Sequence, residues 1–248
     1  MGLSYQENYI IPFELSDIKH DVNLPQLISY CISISGKHST MLGRSDQYLF
    51  DHYHLVWIVT DYEIEINRLP KFKEEVTIKT EAMTYNRFFC YRQFEIRDLD
   101  SELLISILSY FALLNPESRK LAQIPDDLVA PYQSEFVKKI KRAPKLHALN
   151  GDIMTKDYHV RYYDIDHNGH VNNSKYLDWM FDVLNFDFLC HHIPKSITLK
   201  YVKEVAPGGD VTSRCVFEDN VSHHDIISNG QVNAQALIKW QEIEKSEE

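Results

Sequence analysis

The sequence predicts an α+β chain built from two copies of one unit: a strand, a helix, then several antiparallel strands. Three observations point to that class. Two long regions are rich in β-branched and aromatic residues and carry turn signals at a spacing of roughly 10–15 residues. One stretch of helical periodicity precedes each region. The two halves can also be laid on one another, as repeats can.

The first helix is expected in "NLPQLISYCISIS", where Leu24, Leu27, Ile28 and Cys31 recur on one face. The strands of the first copy are expected in "YHLVWIVTDYEIEIN", "EEVTIKTEAM", "RFFCYRQFEIRD" and "ELLISILSYFALLN". The stretch "PYQSEFVKKIKRAPKLHALNGD" mixes Pro, Gly and charge in the manner of a linker. Two domains follow, 1–135 and 150–248, joined by a linker at 136–149. The second helix is expected in "NNSKYLDWMFDVL", with Tyr176, Leu177, Met180, Val183 and Leu184 on its apolar face. The strands of the second copy are expected in "KSITLKYVKEV", "DVTSRCVFED" and "QVNAQALIKWQEI".

The repeat sets Asp17-Ile18 on Asp164-Ile165 and Val22-Asn23 on Val171-Asn172, which makes the first copy two residues shorter there. Further on, Pro70 falls on Pro207. Counting three back from each proline puts Asn67 opposite Glu204.

Composition narrows the function classes. Apolar residues make up 44% of the 248 and charged residues 25%, which fits a globular chain. The net charge of −10 disfavours broad nucleic-acid binding, which needs clustered Lys and Arg. Cys31, Cys90, Cys190 and Cys215 form no CxxC pair, so free thiols in a reducing cytoplasm are expected. The start "MGLSYQENYI" lacks the basic and apolar regions of a signal peptide. No run of eighteen apolar residues occurs, so no membrane span is expected.

The chemistry concentrates in "DIDHNGHVNN", residues 164–173, which hold two Asp, three Asn and two His. Asp164, Asp166, Asn168 and Gly169 begin an EF-hand pattern, but its twelfth position, where calcium needs a bidentate Glu, is Lys175. His167 and His170 lack the cysteines and spacing of a structural zinc site. The pairs His191-His192 and His223-His224 read as solvated surface histidines. Metal-free acid–base chemistry remains. Asp166, Asn168 and His170, at i, i+2 and i+4, can point to one side of a loop. They stand just before a helix start, whose N–H groups favour negative charge. The alternative is a polar helix cap, which Asn172 or Asn173 alone would satisfy.

The stretch "RYYDIDHNGHVNNSKYLDWMFD" resembles the acyl-acyl carrier protein thioesterases of the plant type that also occurs in bacteria. Asp166, Asn168, His170, Val171, Asn172, Asn173, Tyr176 and Trp179 match that motif. "ISGKHSTMLG", "LNPESRKLAQIP" and "KYVKEV" extend the likeness over nearly the whole chain. The resemblance implies two tandem hotdog domains, each a long helix wrapped by an antiparallel sheet. From the repeat alignment, the second copy is expected to carry the chemistry and the first, with no such site to preserve, the acyl-chain pocket. The resemblance implies hydrolysis of fatty acyl thioesters on acyl carrier protein, with no cofactor. Its catalytic residues fall on Asp166, Asn168, His170 and, in the next strand region, Glu204. Many relatives have Cys after that Glu; here Val205 excludes a thiol nucleophile at that place. Val171 and Asn172 of the motif, with Trp57 and Tyr85 of the aromatic-rich first half, are the candidate substrate-binding residues.

Acyl carrier protein is acidic, so docking needs a local basic patch. Lys138, Lys139, Lys141 and Arg142 form one candidate and Arg119 with Lys120 another, against the reading of a solvated linker face. An acyl-coenzyme A thioesterase and a non-catalytic acyl-binding protein of the same fold are the rival functions. Oligomeric state is open, a homodimer being one option.

Overall fold

The computed structural model describes residues 2–166 and 169–243. The chain divides into two compact units, residues 1–143 and 144–248. The first unit opens with strand β1 (Ser4–Ile10), followed by helices α1 (Leu24–Met41) and α2 (Asp46–Tyr53). Four long strands come next: β2 (Val56–Ile66), β3 (Glu75–Tyr85), β4 (Phe89–Arg97) and β5 (Leu103–Leu114). Short pieces close the unit: β6 (Leu121–Ala122), α3 (Asp126–Val129) and β7 (Glu135–Phe136).

Helix α1 begins where Asn23 caps it, its side-chain oxygen accepting from the Gln26 N–H at 3.1 Å, with Pro25 in the first turn where a missing N–H costs nothing. Its buried face carries Leu24, Leu27, Ile28 and Cys31, as their spacing requires, and continues through Ile34 to His38. Each buried Leu or Ile is worth roughly 1.5–3 kcal/mol relative to exposure. The sheet order is β1-β3-β4-β5-β2, with all neighbours antiparallel. Strand β5 lies between β4 and β2, which suits the near-continuous apolar run "LLISILSYFALL".

The second unit repeats the plan. Strand β8 (Met154–His159) is followed by a 3-10 turn at Tyr162–Asp164 and helices α4 (Asn173–Asp182) and α5 (Phe186–His191). Strands β9 (His192–Tyr201), β10 (Asp210–Glu218), β11 (Val221–Ser228) and β12 (Gln231–Glu242) complete it. Their order, β8-β10-β11-β12-β9, is that of β1-β3-β4-β5-β2 in the first unit.

Several expectations change. The second helical stretch is broken: α4 ends at Asp182, and Asn185 caps a separate α5 through the Phe188 N–H at 2.6 Å. Tyr176, Leu177, Met180 and Leu184 are buried as expected, while Val183 is half-buried. The start of "YHLVWIV" is the end of α2, since Ser45 caps that helix through the Tyr48 N–H. The pair His223-His224 is no surface feature. It lies on β11, where alternation buries His224 and half-buries His223. No helix among the described residues is long and apolar enough to cross a membrane.

Candidate active site

The polar stretch folds as a closed loop in front of α4. Ile165 and Val171 form an isolated antiparallel bridge that pins its base. Above it, the Asp166 N–H donates to the His170 carbonyl at 2.8 Å, and the His170 N–H reaches Asp166 Oδ1 at 3.3 Å. Gly169 holds φ +80°, left-handed backbone that a side chain would strain, and its N–H closes the turn on the Asp166 carbonyl at 3.0 Å. Asp166 is therefore the residue that shapes the loop and presents His170. Asn168, and His167 beside it, lie outside the described residues.

Two features fix this loop to the unit. Asp164, 1% exposed, accepts from the Arg161 main-chain N–H at 2.9 Å and its guanidinium at 3.0 Å. Burial pushes the Asp164 carboxyl up, but the Arg161 guanidinium and N–H outweigh it and hold the pKa below the usual carboxylate value. On the far side, the Asn172 N–H donates to the Asp164 carbonyl at 2.8 Å. Asn172 is also the N-cap of α4, its Oδ1 accepting from the Ser174 N–H at 3.0 Å. The polar-cap reading is thus right for Asn172 and leaves His170 to other work. Val171 is buried in the core at 3% exposure.

Glu204 arrives from the connection after β9. Its Oε2 stands 3.7 Å from His170 Nε2, with the two side chains 37% and 45% exposed. Sequence separates these groups widely, and α4 joins them. The Tyr201 hydroxyl, at the end of β9, donates to the Asn173 carbonyl at 2.9 Å. The Val205 N–H donates to the Tyr176 hydroxyl, also at 2.9 Å. Val205 is itself buried, so the position after Glu204 is a packing position. Cys215 is buried on β10 with its Sγ 3.8 Å from His224 Nε2, and burial pushes its pKa up to about 12. A buried thiol held protonated is not a nucleophile.

Lys175, the residue that breaks the EF-hand pattern, pairs with Asp178 at 2.9 Å on the first turns of α4. Among the described residues no cluster of three or more His, Cys, Asp or Glu side chains is arranged to hold a metal.

Trp57 and Tyr85 sit in the first unit. Both pack, half-buried, against one apolar cluster that includes Leu49, Leu55, Leu113 and Leu128. Trp57 meets Phe111 edge-on at 6.3 Å, and the Tyr85 hydroxyl donates to Asp126 at 3.1 Å.

Residue groups that sequence reasoning missed are Tyr176, Tyr201 and Asn233, whose bonds converge on the two ends of the Glu204 connection. Tyr176 was legible as a motif position and as core, but not as the partner of the Val205 N–H. Asn233 carries no local signal, because its position depends on strand register.

Comparison with known proteins identifies the family. Residues 2–132 match the family model of the acyl-ACP thioesterase N-terminal domain and residues 148–242 that of its C-terminal domain, ACP being acyl carrier protein. A chloroplastic acyl-[acyl-carrier-protein] hydrolase, FATB3, of Cuphea viscosissima is 32% identical over 162 residues, covering 60% of this chain but 38% of the relative. A chloroplastic oleoyl-acyl carrier protein thioesterase of Coriandrum sativum is 26% identical over 94% of this chain and 69% of its own length. A crystal structure described as an oleoyl thioesterase of Lactobacillus plantarum superposes with a TM-score of 0.95 at 33% identity, covering 98% of both chains. The chain is a member of the acyl-ACP thioesterase family, with hotdog-fold units.

Proposed function

We propose that this chain hydrolyses fatty acyl thioesters carried on acyl carrier protein, releasing the free fatty acid and so ending elongation. The observation that carries the reading is the 3.7 Å approach of Glu204 to His170 beside the start of α4. At that separation one water oxygen can reach both groups. Glu204 takes the proton as the water attacks the thioester carbonyl carbon. The oxyanion that forms is stabilised by His170, with Asn168 as the other polar group of the loop. Collapse of the tetrahedral intermediate breaks the C–S bond. The thiolate leaves with the proton that Glu204 had taken, so the products are a carboxylic acid and a thiol. Asp166 holds the loop in shape for these steps.

Val171 and Asn172 serve the substrate by fixing the loop and the helix start. Trp57 and Tyr85, on their apolar cluster, are the proposed contacts of the acyl chain. The partner is acyl carrier protein. Lys141 faces Glu63 at 3.7 Å, which partly neutralises the patch of Lys138, Lys139, Lys141 and Arg142. Arg119 and Lys120, both exposed, form the alternative patch. The catalytic residues named all belong to one chain, so a homodimer is not required for them. Cys31, Cys90, Cys190 and Cys215 are all unpaired, which supports a reducing cytoplasm as the place of action.

The test is steady-state thiol release from acyl-ACP and acyl-coenzyme A of matched chain length, before and after dialysis against EDTA. Turnover of acyl-ACP with the larger kcat/KM, unaffected by EDTA, is expected. Preference for the coenzyme A substrate would move the chain to the rival thioesterase class. Binding of either substrate without hydrolysis would make it an acyl-binding protein.

A further inference from the structure

We infer that Asn233, together with Tyr176, is the positioning element that holds Glu204 in place for catalysis. The inference rests on Glu204 as the base proposed above. Glu204 lies in the connection between Tyr201 and Asp210, outside any strand, where a backbone would ordinarily move. Here the backbone is held from both sides.

The hold begins with an irregularity in β12. Ile226 pairs with Ala234 and Ile227 with Val232, so Asn233 is the extra residue of a β-bulge. A bulge releases one residue from the ladder and re-aims its side chain, which is why bulges gather beside functional sites. Asn233 is 2% exposed, yet its polar groups are well used. Its Nδ2 donates to the Lys203 and Glu204 carbonyls, at 3.1 Å each, and its Oδ1 accepts from the Ser228 N–H at 2.7 Å. Its main-chain carbonyl accepts from the Val202 and Lys203 N–H groups at 2.8 and 3.1 Å. From the helix side, the buried Tyr176 hydroxyl accepts from the Val205 N–H at 2.9 Å. The peptide groups on both sides of Glu204 are therefore fixed, and its carboxylate is delivered to His170 by backbone rather than by side-chain contacts alone.

The first unit supplies an internal control. Its β4–β5 ladder has the same irregularity: Ile96 pairs with Ile105 and Arg97 with Leu103, so Leu104 is the extra residue. The Leu104 carbonyl still accepts from Asn67 N–H, at 2.9 Å. The bulge and its main-chain bond are thus common to both units. In the first unit an amide bridges the junction from the other side, Asn67 Nδ2 donating to the Leu103 carbonyl at 2.7 Å, and an amide on the bulge residue itself occurs only in the unit that carries the carboxylate. The fold thus closes this junction in the first unit without a polar side chain on the bulge residue, and the second unit adds one where the connection carries the carboxylate.

The test is a double-mutant cycle with Tyr176→Phe and Asn233→Leu, each made alone and in a Glu204→Gln background. Tyr176→Phe removes one oxygen, and Asn233→Leu installs the residue that the other bulge already tolerates. Melting curves and circular dichroism select folded variants. Each substitution is expected to lower kcat by about ten- to a hundredfold, since small misplacements of a catalytic group are costly, with KM little changed. In the Glu204→Gln background neither should cost anything further. Equal losses with and without the Glu204 carboxylate would overturn the inference, as would folded Tyr176→Phe and Asn233→Leu variants with wild-type kcat. Wild-type turnover by Glu204→Gln alone would instead remove the base reading itself, and that single variant is measured first.

Discussion

The two units share one plan and differ in what stands at its functional positions. In both, a loop closed by a hydrogen bond four residues apart precedes the main helix: Asp17 N–H to the Asp21 carbonyl in the first, Asp166 N–H to the His170 carbonyl in the second, each 2.8 Å. In both, a bridge pins the base of the loop, Ser16 to Val22 and Ile165 to Val171. The left-handed residue is His20 in one and Gly169 in the other. The loops are therefore equal in length, and Asp17 corresponds to Asp166. The two-residue shortening expected from the sequence alignment does not exist. The first loop differs by substitution: by this count Lys19 aligns with Asn168 in the sequence, and Asp21 stands where His170 does. Asp21 is buried and pairs with Lys71 at 2.5 Å, which makes it a structural residue.

The length difference lies elsewhere. Asn67 and Val202 are each the first residue after a strand, and each donates to the carbonyl of its bulge residue. Asn67 therefore corresponds to Val202, and the second unit has two more residues before its proline. Those residues make the excursion that carries Glu204. Counting from the strand places Leu69 opposite Glu204, and counting from the proline places Asn67 there. By either count the first unit offers no carboxylate.

This contrast can be broken at several points. His170→Ala should lower kcat about 10²–10³-fold, the usual cost of one oxyanion-stabilising donor, while Asp21→Asn should leave kcat unchanged. Equal losses in hydrolysis assays of the two variants would mean that both loops act in catalysis.

A second test uses the buried histidine of each unit. Burial, with the charge of Arg92 beside it, pushes His38 down to about 4, and burial with His223 nearby pushes His224 down to about 3. An unfolded imidazole takes up its proton below about pH 6.5. The unfolded state then binds more protons, so stability falls as pH drops from about 6.5 towards those values, by at most about 1.4 kcal/mol per pH unit per group. Denaturant melts should lose part of this slope in His224→Gln, with the lower end of the window, between about 4 and 3, affected most. An unchanged slope would show that His224 is not buried neutral.

The smallest effect concerns stability at the first loop. Asp21→Asn keeps the shape but loses the pair with half-exposed Lys71, so a loss of about 1 kcal/mol or less is expected in the same melts. A much larger loss would mark Asp21 as a main support of that loop.

The repeat, most of the strands and the polar loop were legible in the sequence, because periodicity and polarity are local properties. The register of the repeat was not. The shared Asp-Ile text led to matching Ile18 with Ile165, but Ile18 is 71% exposed and Ile165 forms the bridge. Hydrogen bonding sets the correspondence, and letters two positions apart can imitate it. Strand β11 was passed over because "VSHHDIIS" hides a buried His224 behind a polar pair. Asn233 could not be found at all from its neighbours, since a bulge exists only relative to a partner strand.

The central claim is that one unit alone performs the chemistry and that Glu204 is its base. Steady-state hydrolysis of acyl-ACP by Glu204→Gln and by Asn67→Ala tests it most directly, with melting curves confirming that both fold. The account predicts a fall in kcat of about 10²–10⁴-fold for Glu204→Gln and none for Asn67→Ala. Near-normal turnover by folded Glu204→Gln, or a comparable loss in Asn67→Ala, would contradict it.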